Sequence, residues 1–214
     1  MKNKRVPVVA SRWITSPMFW YGWLKVIRMP QPIVTIFGGK EMHKKDEPYG
    51  QAFKCGSLLA IRDFSLLTGG GPGIMEASLC GFQKEKDKKG SALGIGVRGV
   101  DDHFHLACDA NFVAMPSFAA RKWLLIRYSA AFIIFPGGIG TLDELADTLN
   151  TIKFSIIPRV PVILIGTHYW KPLVAWYSQG CNQSYIRSDL ADVLTITDDV
   201  REAVDLIYDT RFKI

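Results

Sequence analysis

The stretch from position 136 to position 144 reads Pro136-Gly137-Gly138-Ile139-Gly140-Thr141-Leu142-Asp143-Glu144. A continuous apolar run over residues 130–135 precedes it, and a pattern typical of a helix follows it from residue 145. The order is strand, glycine turn and helix N-terminus, which is where α/β proteins hold anions. The stretch therefore predicts a parallel sheet that binds a ligand where this strand ends.

Two further glycine turns follow predicted strands. Gly38 and Gly39 come after the β-branched run 33–37, and the turn from Gly69 to Gly73 comes after the run 65–67. Glycine lets backbone N–H groups approach a phosphate without a Cβ in the way, and the following helix adds partial positive charge. Because strands and helices alternate along the chain, we predict an α/β fold: a Rossmann-like doubly wound parallel sheet with helices on both faces.

Two common nucleotide-binding patterns are absent from these turns. The Walker pattern ends in Gly-Lys-Ser/Thr, which none of the three turns contains. The dinucleotide fingerprint G-x-G-x-x-G belongs after the first strand, and the turn at Gly38 lacks that spacing. A nicotinamide dinucleotide is therefore disfavoured, and the glycine turns leave open another ligand that carries a phosphate.

The composition is that of a globular protein. The 214 residues are 48% apolar and 21% charged, which suits one compact domain. We predict an aromatic N-terminal extension over residues 1–32 and a single Rossmann-like nucleotide-binding domain over residues 33–214. The formal net charge of +6 fits either a mildly basic surface or an attraction for phosphorylated small molecules. No long basic stripe is present, so we expect no nucleic-acid partner.

The segment from Met18 to Ile27 is strongly aromatic. A helix of this kind could lie on a membrane surface, but we favour packing on the domain or on a partner subunit and do not expect membrane contact. The basic start of the chain makes a poor signal peptide, and no run reaches the roughly 18 apolar residues that a spanning helix needs. We expect a cytoplasmic protein.

Cysteine and histidine give no sign of a metal site. The four cysteines are scattered at Cys55, Cys80, Cys108 and Cys181. Without a CxxC pair, they fit reduced, mostly buried thiols better than a disulfide framework or a zinc site. The loop over residues 101–105 holds two His and two Asp, but a His-x-His spacing alone is a weak signal, and we predict no metal.

Two charged side chains near the turns have two interpretations each. Thr141 and Glu144 match a capping box, with Thr at the N-cap and Glu at N3. Alternatively, the Glu144 carboxylate faces the ligand crevice, where it could stabilise a positively charged sugar or orient a water. Arg121 lies in a helix that Ser117 is expected to cap, and it is either a solvated charge or part of the same site.

The turn Gly69-Gly70-Gly71-Pro72-Gly73-Ile74-Met75-Glu76-Ala77, the pair Arg121-Lys122 and the stretch 136–144 together carry a family resemblance. Over roughly residues 33–180 the chain resembles the LOG ("Lonely Guy") phosphoribohydrolases, whose members were often labelled possible lysine decarboxylases. The resemblance implies a Rossmann-like fold, usually in a homodimer with the active site near the subunit interface. It implies an enzyme that hydrolyses a nucleoside 5′-monophosphate, of the AMP or cytokinin riboside monophosphate type, to free base and ribose 5-phosphate.

The resemblance also assigns residues. It implies that Arg121 and Glu144 are the catalytic pair. It implies that the substrate and its phosphate are bound by Gly38, Gly39, Gly70, Gly71, Gly73, Met75, Lys122, Pro136, Gly137, Gly138, Gly140 and Thr141. The implied reaction requires no metal and no redox cofactor, and the sequence has no identifiable pyridoxal phosphate site with a Schiff-base lysine.

The chain departs from the family pattern at two places. Many members carry Gly-Ser after the first strand, where Gly38-Gly39-Lys40 stands here. Many carry a Pro-x-Glu-Gln-like segment after the third strand, which residues 98–105 do not match. The preferred base therefore does not follow from the motifs. The second departure leaves an alternative function open, a non-catalytic carrier of a nucleotide or of molybdenum cofactor on the same fold.

Overall fold

The computed structural model describes residues 12–100, 107–186 and 193–211 of the chain. A single 3-10 turn, Arg12–Thr15, leads into the first helix. The strands are β1 Ile33–Phe37, β2 Ser65–Thr68, β3 Ala92–Val97, β4 Asn111–Met115, β5 Ser129–Ile134, β6 Val162–Ile165 and β7 Leu194–Thr197. The helices are α1 Pro17–Ile27, α2 Glu47–Ile61, α3 Ile74–Lys84, α4 Phe118–Arg127, α5 Ile139–Lys153, α6 Thr167–Asn182 and α7 Val200–Arg211.

The strands form one parallel sheet in the order β4-β3-β2-β1-β5-β6-β7. Helices cover both of its faces, with α2, α3 and α7 on one side and α1, α4, α5 and α6 on the other. Both faces of the central strands are therefore buried, which explains why β1 and β5 are apolar except for Thr35 and Ser129. The predicted doubly wound α/β fold is confirmed.

The strand order reverses between β1 and β5. From β1 the chain runs outward through β2, β3 and β4, and it then returns to place β5 on the other side of β1. A crevice opens outside the carboxyl ends of the strands at such a switch point, and ligands of open α/β sheets bind there. Phe37 pairs with Ile134 at the end of the β1–β5 ladder. The first and third glycine turns begin within a few residues of this pair, so both lie at the switch point.

Helix α1 packs on the sheet and on α4. Gly22 lies close to the sheet, and a Cβ there would lie 2.1 Å from the terminal methyl of Met115 on β4, which would have to move. Trp23 Nε1 donates a hydrogen bond of 2.6 Å to the Tyr128 hydroxyl at the end of α4. Helix α1 is therefore held against the domain at Gly22, by close packing, and at Trp23, by a hydrogen bond.

The expectation of four reduced cysteines is wrong for one pair. Cys80 near the end of α3 and Cys108 before β4 form a disulfide, with Cα atoms 5.4 Å apart. The two residues are 28 positions apart and meet because the residues just before β4 lie against α3, where Ala107 N donates to Glu76, which no local spacing reveals. Cys55 and Cys181 are free. Burial raises the pKa of the Cys55 thiol to about 12.

The expectations of no membrane-spanning helix and no metal site can be compared with the described part of the chain only. Within residues 12–100, 107–186 and 193–211, no helix combines the length and apolarity that crossing a bilayer requires. The same residues contain no cluster of three His, Cys, Asp or Glu side chains that could hold a metal. The loop over residues 101–105, with its two His and two Asp, lies outside the described residues.

Candidate functional site

A cleft of about 620 Å³ opens at the switch point, a size that is ordinary for small-molecule sites. The three glycine turns, the N-terminal half of α4 and the first turns of α5 form its walls. Eleven of the fourteen predicted site residues line it: Gly38, Gly39, Gly71, Met75, Arg121, Lys122, Gly137, Gly138, Gly140, Thr141 and Glu144. The strand order thus brings together segments that are about a hundred residues apart in sequence.

The other three predicted residues, Gly70, Gly73 and Pro136, do not line the cleft. Gly70 and Gly73 both have φ +70°, a backbone conformation that favours glycine. A Cβ at Gly73 would also lie 2.4 Å from the Gly39 carbonyl oxygen. The carbonyl of Pro136 accepts a hydrogen bond of 2.9 Å from Gly39 N. Gly70, Gly73 and Pro136 therefore fix the backbone conformation of the turns, while neighbouring residues of the same turns line the cleft.

The third turn is closed on one side and open on the other. A Cβ at Gly137 would lie 2.2 Å from Thr141 Oγ1 and 2.7 Å from Gly39 N, so no larger residue fits there. A Cβ at Gly138 or at Gly140 would meet nothing within 4 Å. These two glycines present bare backbone to the cleft at the start of the 15-residue helix α5, where N–H groups and the helix dipole attract an anion.

The predicted capping box at Thr141 is wrong. Helix α5 begins at Ile139 with Gly138 as its N-cap, and the Leu142 N–H donates to the Gly138 carbonyl at 3.1 Å. Thr141 is buried against Gly137 inside the first turn, and Glu144 lies in the second turn. The hydrogen bond from Gly39 to Pro136 draws the third turn tightly against β1, which is consistent with the early start of the helix. Glu144 therefore has no capping role.

Arg121 and Glu144 form an ion pair across the cleft wall. Arg121 Nη2 lies 3.2 Å from Glu144 Oε1, and the two side chains are only 12% and 13% exposed. Ser117 positions the arginine, because its hydroxyl accepts a 3.3 Å hydrogen bond from Ala120 N and caps α4 as predicted. The guanidinium lies against Gly69, where a Cβ would come within 2.0 Å of Nη2. The sequence assignment of the site omitted Gly69, although it is the first glycine of its motif.

Burial dominates the electrostatics of this pair. Loss of water raises the pKa of Glu144 to about 7, while the Arg121 guanidinium acts in the opposite direction. Asp143 adds to the rise and Lys122 opposes it. Arg121 Nε is buried and has no hydrogen-bond partner among the described residues. Since a buried polar group without a partner is costly, this N–H is suited to a ligand oxygen.

Lys122 is held by two carboxylates of α5. Its Nζ lies 3.1 Å from Asp143 Oδ2 and 3.1 Å from Asp147 Oδ2. Burial lowers the pKa of Lys122, but the hydrogen bonds and charges of Asp147 and Asp143 together raise it by more. The net shift of this pKa is therefore upward. Lys122 thus lines the cleft as predicted, while its charge ties α4 to α5 beside the Arg121–Glu144 pair.

Sequence analysis missed several cleft residues, among them Tyr169. This residue lies in the first turn of α6, and its hydroxyl donates a hydrogen bond to the Gly137 carbonyl. Its position just after β6 was a usable signal, because all carboxyl ends of a parallel sheet meet at one edge. Ile139, inside the stretch 136–144, adds apolar surface to the cleft, as do Phe118 and Met42, which no motif marks.

Comparison with known proteins gives a family match. Residues 70–207 match the model of a family described as "Possible lysine decarboxylase". A probable cytokinin riboside 5′-monophosphate phosphoribohydrolase of Oryza sativa subsp. japonica is 25% identical over 175 residues, 80% of this chain and 70% of that protein. A cytokinin riboside 5′-monophosphate phosphoribohydrolase of Mycobacterium marinum is 27% identical over 157 residues, 70% of this chain and 79% of that protein.

A third relative is longer. The pyrimidine/purine nucleotide 5′-monophosphate nucleosidase of Escherichia coli (strain K12) is 29% identical over 147 residues. The match covers 60% of this chain but only 30% of that protein. The chain therefore resembles only one part of the Escherichia coli nucleosidase.

Solved structures share the fold. The molybdenum cofactor binding protein of the phototrophic bacterium Rippkaea orientalis aligns with a TM-score of 0.63 at 24% identity, covering 85% of this chain and 98% of that one. The Moco carrier protein of Chlamydomonas reinhardtii aligns with a TM-score of 0.63 at 20% identity, covering 86% of this chain and all of that one. At these identities the likeness establishes the fold alone.

Proposed function

Because the chain belongs to the possible lysine decarboxylase (LOG) family, we propose that it hydrolyses the N-glycosidic bond of a nucleoside 5′-monophosphate. The products are a free base and ribose 5-phosphate. The observation that carries this proposal is the buried Arg121–Glu144 ion pair, which faces glycine turns suited to a phosphate. The names of the relatives in rice, Mycobacterium marinum and Escherichia coli support the same type of reaction.

The 5′-phosphate binds at the third glycine turn. Gly138 and Gly140 leave their backbone uncovered at the N-terminus of α5, and the helix dipole favours a negative group there. On the opposite side, the Gly39 N–H donates to the Pro136 carbonyl and so holds the first turn against the third, rather than binding the phosphate itself. A phosphate in this place puts the ribose towards Glu144, which lies in the next turn of the same helix.

Glu144 acts on the sugar–base bond. As the bond from C1′ to the base nitrogen breaks, its electron pair leaves with the base and positive charge develops on the ribose. A nearby carboxylate stabilises that charge and accepts a proton from the attacking water, whose oxygen bonds to C1′. The departing base takes up a proton, so the overall reaction adds one water. A carboxyl pKa of about 7 suits a group that must both accept and release a proton near neutral pH.

Arg121 positions Glu144 and contacts the substrate. Its Nη2 holds one oxygen of the carboxylate, and its buried Nε–H is available to an oxygen of the ribose phosphate. The planar guanidinium can make both contacts at once, which the ammonium of a lysine cannot do in the same geometry. We assign Lys122 to holding α4 and α5 in register through Asp143 and Asp147.

The test is a product assay. Purified protein is incubated with AMP, GMP, CMP, UMP and a cytokinin riboside 5′-monophosphate, and free base and ribose 5-phosphate are separated by chromatography. We expect release from at least one monophosphate and none from the matching nucleoside, which lacks the phosphate. Absence of release from every monophosphate at high protein concentration would refute the proposed activity. The set also identifies the base that is preferred.

A binding experiment separates the enzyme from a carrier. A non-catalytic carrier of a nucleotide or of molybdenum cofactor binds its ligand tightly and leaves it intact. Calorimetric titration with AMP, followed by chromatography of the recovered nucleotide, distinguishes these outcomes.

We further propose that the chain forms a homodimer, as the family resemblance implies, and light scattering after gel filtration measures this directly.

A further inference from the structure

Helix α1 uses only half of its surface to pack on the domain. Phe19, Gly22 and Val26 are buried against the sheet and α4. The opposite side of the same helix exposes large apolar residues, each more than a third exposed: Trp20 45%, Tyr21 56%, Leu24 38% and Ile27 38%. Their spacing of three to four residues places them on one continuous helical face.

This exposed face belongs to a firmly held element. Trp23 Nε1 donates to the Tyr128 hydroxyl, and the ring of Phe19 packs edge-on against Trp123 of α4 with centroids 5.6 Å apart. Trp20 in turn packs edge-on against Trp23 at 5.3 Å. The apolar side chains are therefore presented on a helix whose orientation the domain determines.

The charge distribution of the chain points to the occupant of this face. Residues 1–32 contain six Lys and Arg and no Asp or Glu, whereas residues 33–214 contain twenty of each sign. The whole formal net charge of +6 thus resides in the segment that contains α1. Two of the six cations, Lys25 and Arg28, are exposed beside the apolar face, and Lys25 Nζ lies 5.5 Å from the centroid of the Tyr21 ring.

Against the expectation from the sequence that this segment makes no membrane contact, we propose that the face formed by Trp20, Tyr21, Leu24 and Ile27 docks on an anionic lipid bilayer surface. Trp and Tyr are favoured at the level of the lipid headgroups, and aliphatic side chains reach the acyl boundary beneath them. Lysine and arginine at the edge of such a face meet the negative surface potential of anionic lipids. The contact goes beyond nucleotide hydrolysis and does not depend on it.

Two other occupants fit the face less well. A second copy of the chain, joined through the same face by a two-fold axis, would double the number of cations at the interface, and residues 1–32 contain no acidic residue to offset them. A nucleic acid would accept the positive charge but would leave Leu24 and Ile27 without an apolar environment. A bilayer with anionic headgroups satisfies both the charge and the apolar surface.

The test is co-sedimentation of the full-length protein with vesicles. We expect binding to phosphatidylcholine–phosphatidylserine vesicles and little binding to pure phosphatidylcholine vesicles. The double substitution Lys25→Glu and Arg28→Glu should lower the bound fraction at least about tenfold. The matched control is Lys84→Glu with Lys86→Glu, which changes the net charge equally at the end of α3 on the opposite face of the sheet and should leave binding within about twofold of the wild type.

The apolar contribution has its own pair of variants. Trp20→Ser should weaken vesicle binding several-fold, while Trp176→Ser on α6, where the indole is 62% exposed, should not. Circular dichroism confirms that each variant is folded. Absence of sedimentation with anionic vesicles would overturn the proposal. An equal loss of vesicle binding in the Lys84→Glu, Lys86→Glu control would also overturn the proposal. The same holds if Trp20→Ser binds as well as the wild type and RNA competes with the vesicles, because each result shows attraction to any polyanion.

Discussion

Arg121 Nη2 lies 3.2 Å from Glu144 Oε1, and the two residues approach each other from different helices at the switch point of the sheet. Gly69 makes room for the guanidinium, and the buried Nε–H of the same arginine has no partner among the described residues. A cation and an anion that are both about 12–13% exposed are costly to bury. Because this costly ion pair lies at the edge of a glycine-lined cleft, a role in binding and catalysis is favoured over a role in stability.

Replacement of the carboxylate tests its chemistry. Glu144→Gln keeps the shape of the side chain but can neither accept a proton nor stabilise positive charge, so kcat should fall by about 10²–10⁴-fold while the fold is retained. Release of base from the preferred monophosphate and the circular dichroism melting curve measure the two effects. Asp209→Asn, an exposed carboxylate on α7, is the matched control and should keep wild-type activity. A fully active Glu144→Gln variant would remove Glu144 from the mechanism.

The activity should depend on pH through the same group. Burial raises the pKa of Glu144 to about 7, and the ionised form is the one that accepts a proton. The value of kcat/KM, which reports the ionisation of the free protein, should therefore rise about tenfold per pH unit below this pKa and level off above it. Initial rates at substrate concentrations well below KM, from about pH 5 to pH 8, measure the profile. A flat profile over this range would show that the ionisation of Glu144 does not control the rate.

Stability should change with pH in the opposite direction. The pKa of Glu144 rises from its ordinary value of 4.5 to about 7 on folding, so the folded protein binds the proton more tightly than the unfolded chain. The carboxyl therefore contributes stability that is fully present below about pH 4.5 and is lost as the pH rises through about 7. Relative to Glu144→Gln, the wild type should lose up to about 3 kcal/mol of unfolding free energy across this window. Urea titrations of both proteins at several pH values measure the difference, and a constant difference contradicts it.

Two adjacent glycines should respond differently to alanine. A Cβ at Gly138 meets no protein atom within 4 Å, so Gly138→Ala should keep its melting temperature but lose about tenfold or more in affinity for AMP, because the methyl group occupies the phosphate position. A Cβ at Gly137 meets Thr141 Oγ1 at 2.2 Å, so Gly137→Ala should also lose stability. Thermal melts and calorimetric titration with AMP separate the two effects.

The control for these variants is Gly50→Ala in α2. Its Cβ also meets nothing within 4 Å, and alanine in a helix should stabilise the protein by about 0.5–1 kcal/mol without changing AMP affinity. Unchanged AMP affinity in Gly138→Ala would place the phosphate elsewhere in the cleft.

Tyr169 should act through the third turn. Its hydroxyl donates to the Gly137 carbonyl, so Tyr169→Phe removes one hydrogen bond from the backbone that holds the phosphate. We expect KM to rise about threefold to tenfold with a smaller change in kcat, as about 1 kcal/mol of binding is lost. Tyr185→Phe, at a tyrosine that is 82% exposed, is the control. A change in kcat alone would instead place the Tyr169 hydroxyl at the reacting atoms.

Local patterns were enough to predict the glycine turns, whereas the assignment of Arg121 and Glu144 came from the family resemblance, and neither predicted every contact within the site. The three glycine turns follow strands that end within one residue of the predicted position, and the cap of α4 at Ser117 and the family match are confirmed. The prediction of a capping box at Thr141 was wrong because α5 begins at Ile139, two residues before Thr141. The same turn is hydrogen-bonded to the first turn through Gly39 and Pro136, a contact that local spacing does not reveal. The Cys80–Cys108 disulfide was missed for the same kind of reason.

The sequence by itself determined the order of strands and helices, the parallel sheet and the positions of the glycine turns. These follow from short-range periodicity and from the few residue types that a tight turn accepts. Only the tertiary structure decided that Arg121 lies against Gly69 and beside Glu144, and that Tyr169 supports Gly137. The physical reason is that the sheet order, which no local pattern contains, brings the ends of β1, β2, β5 and β6 to a single edge.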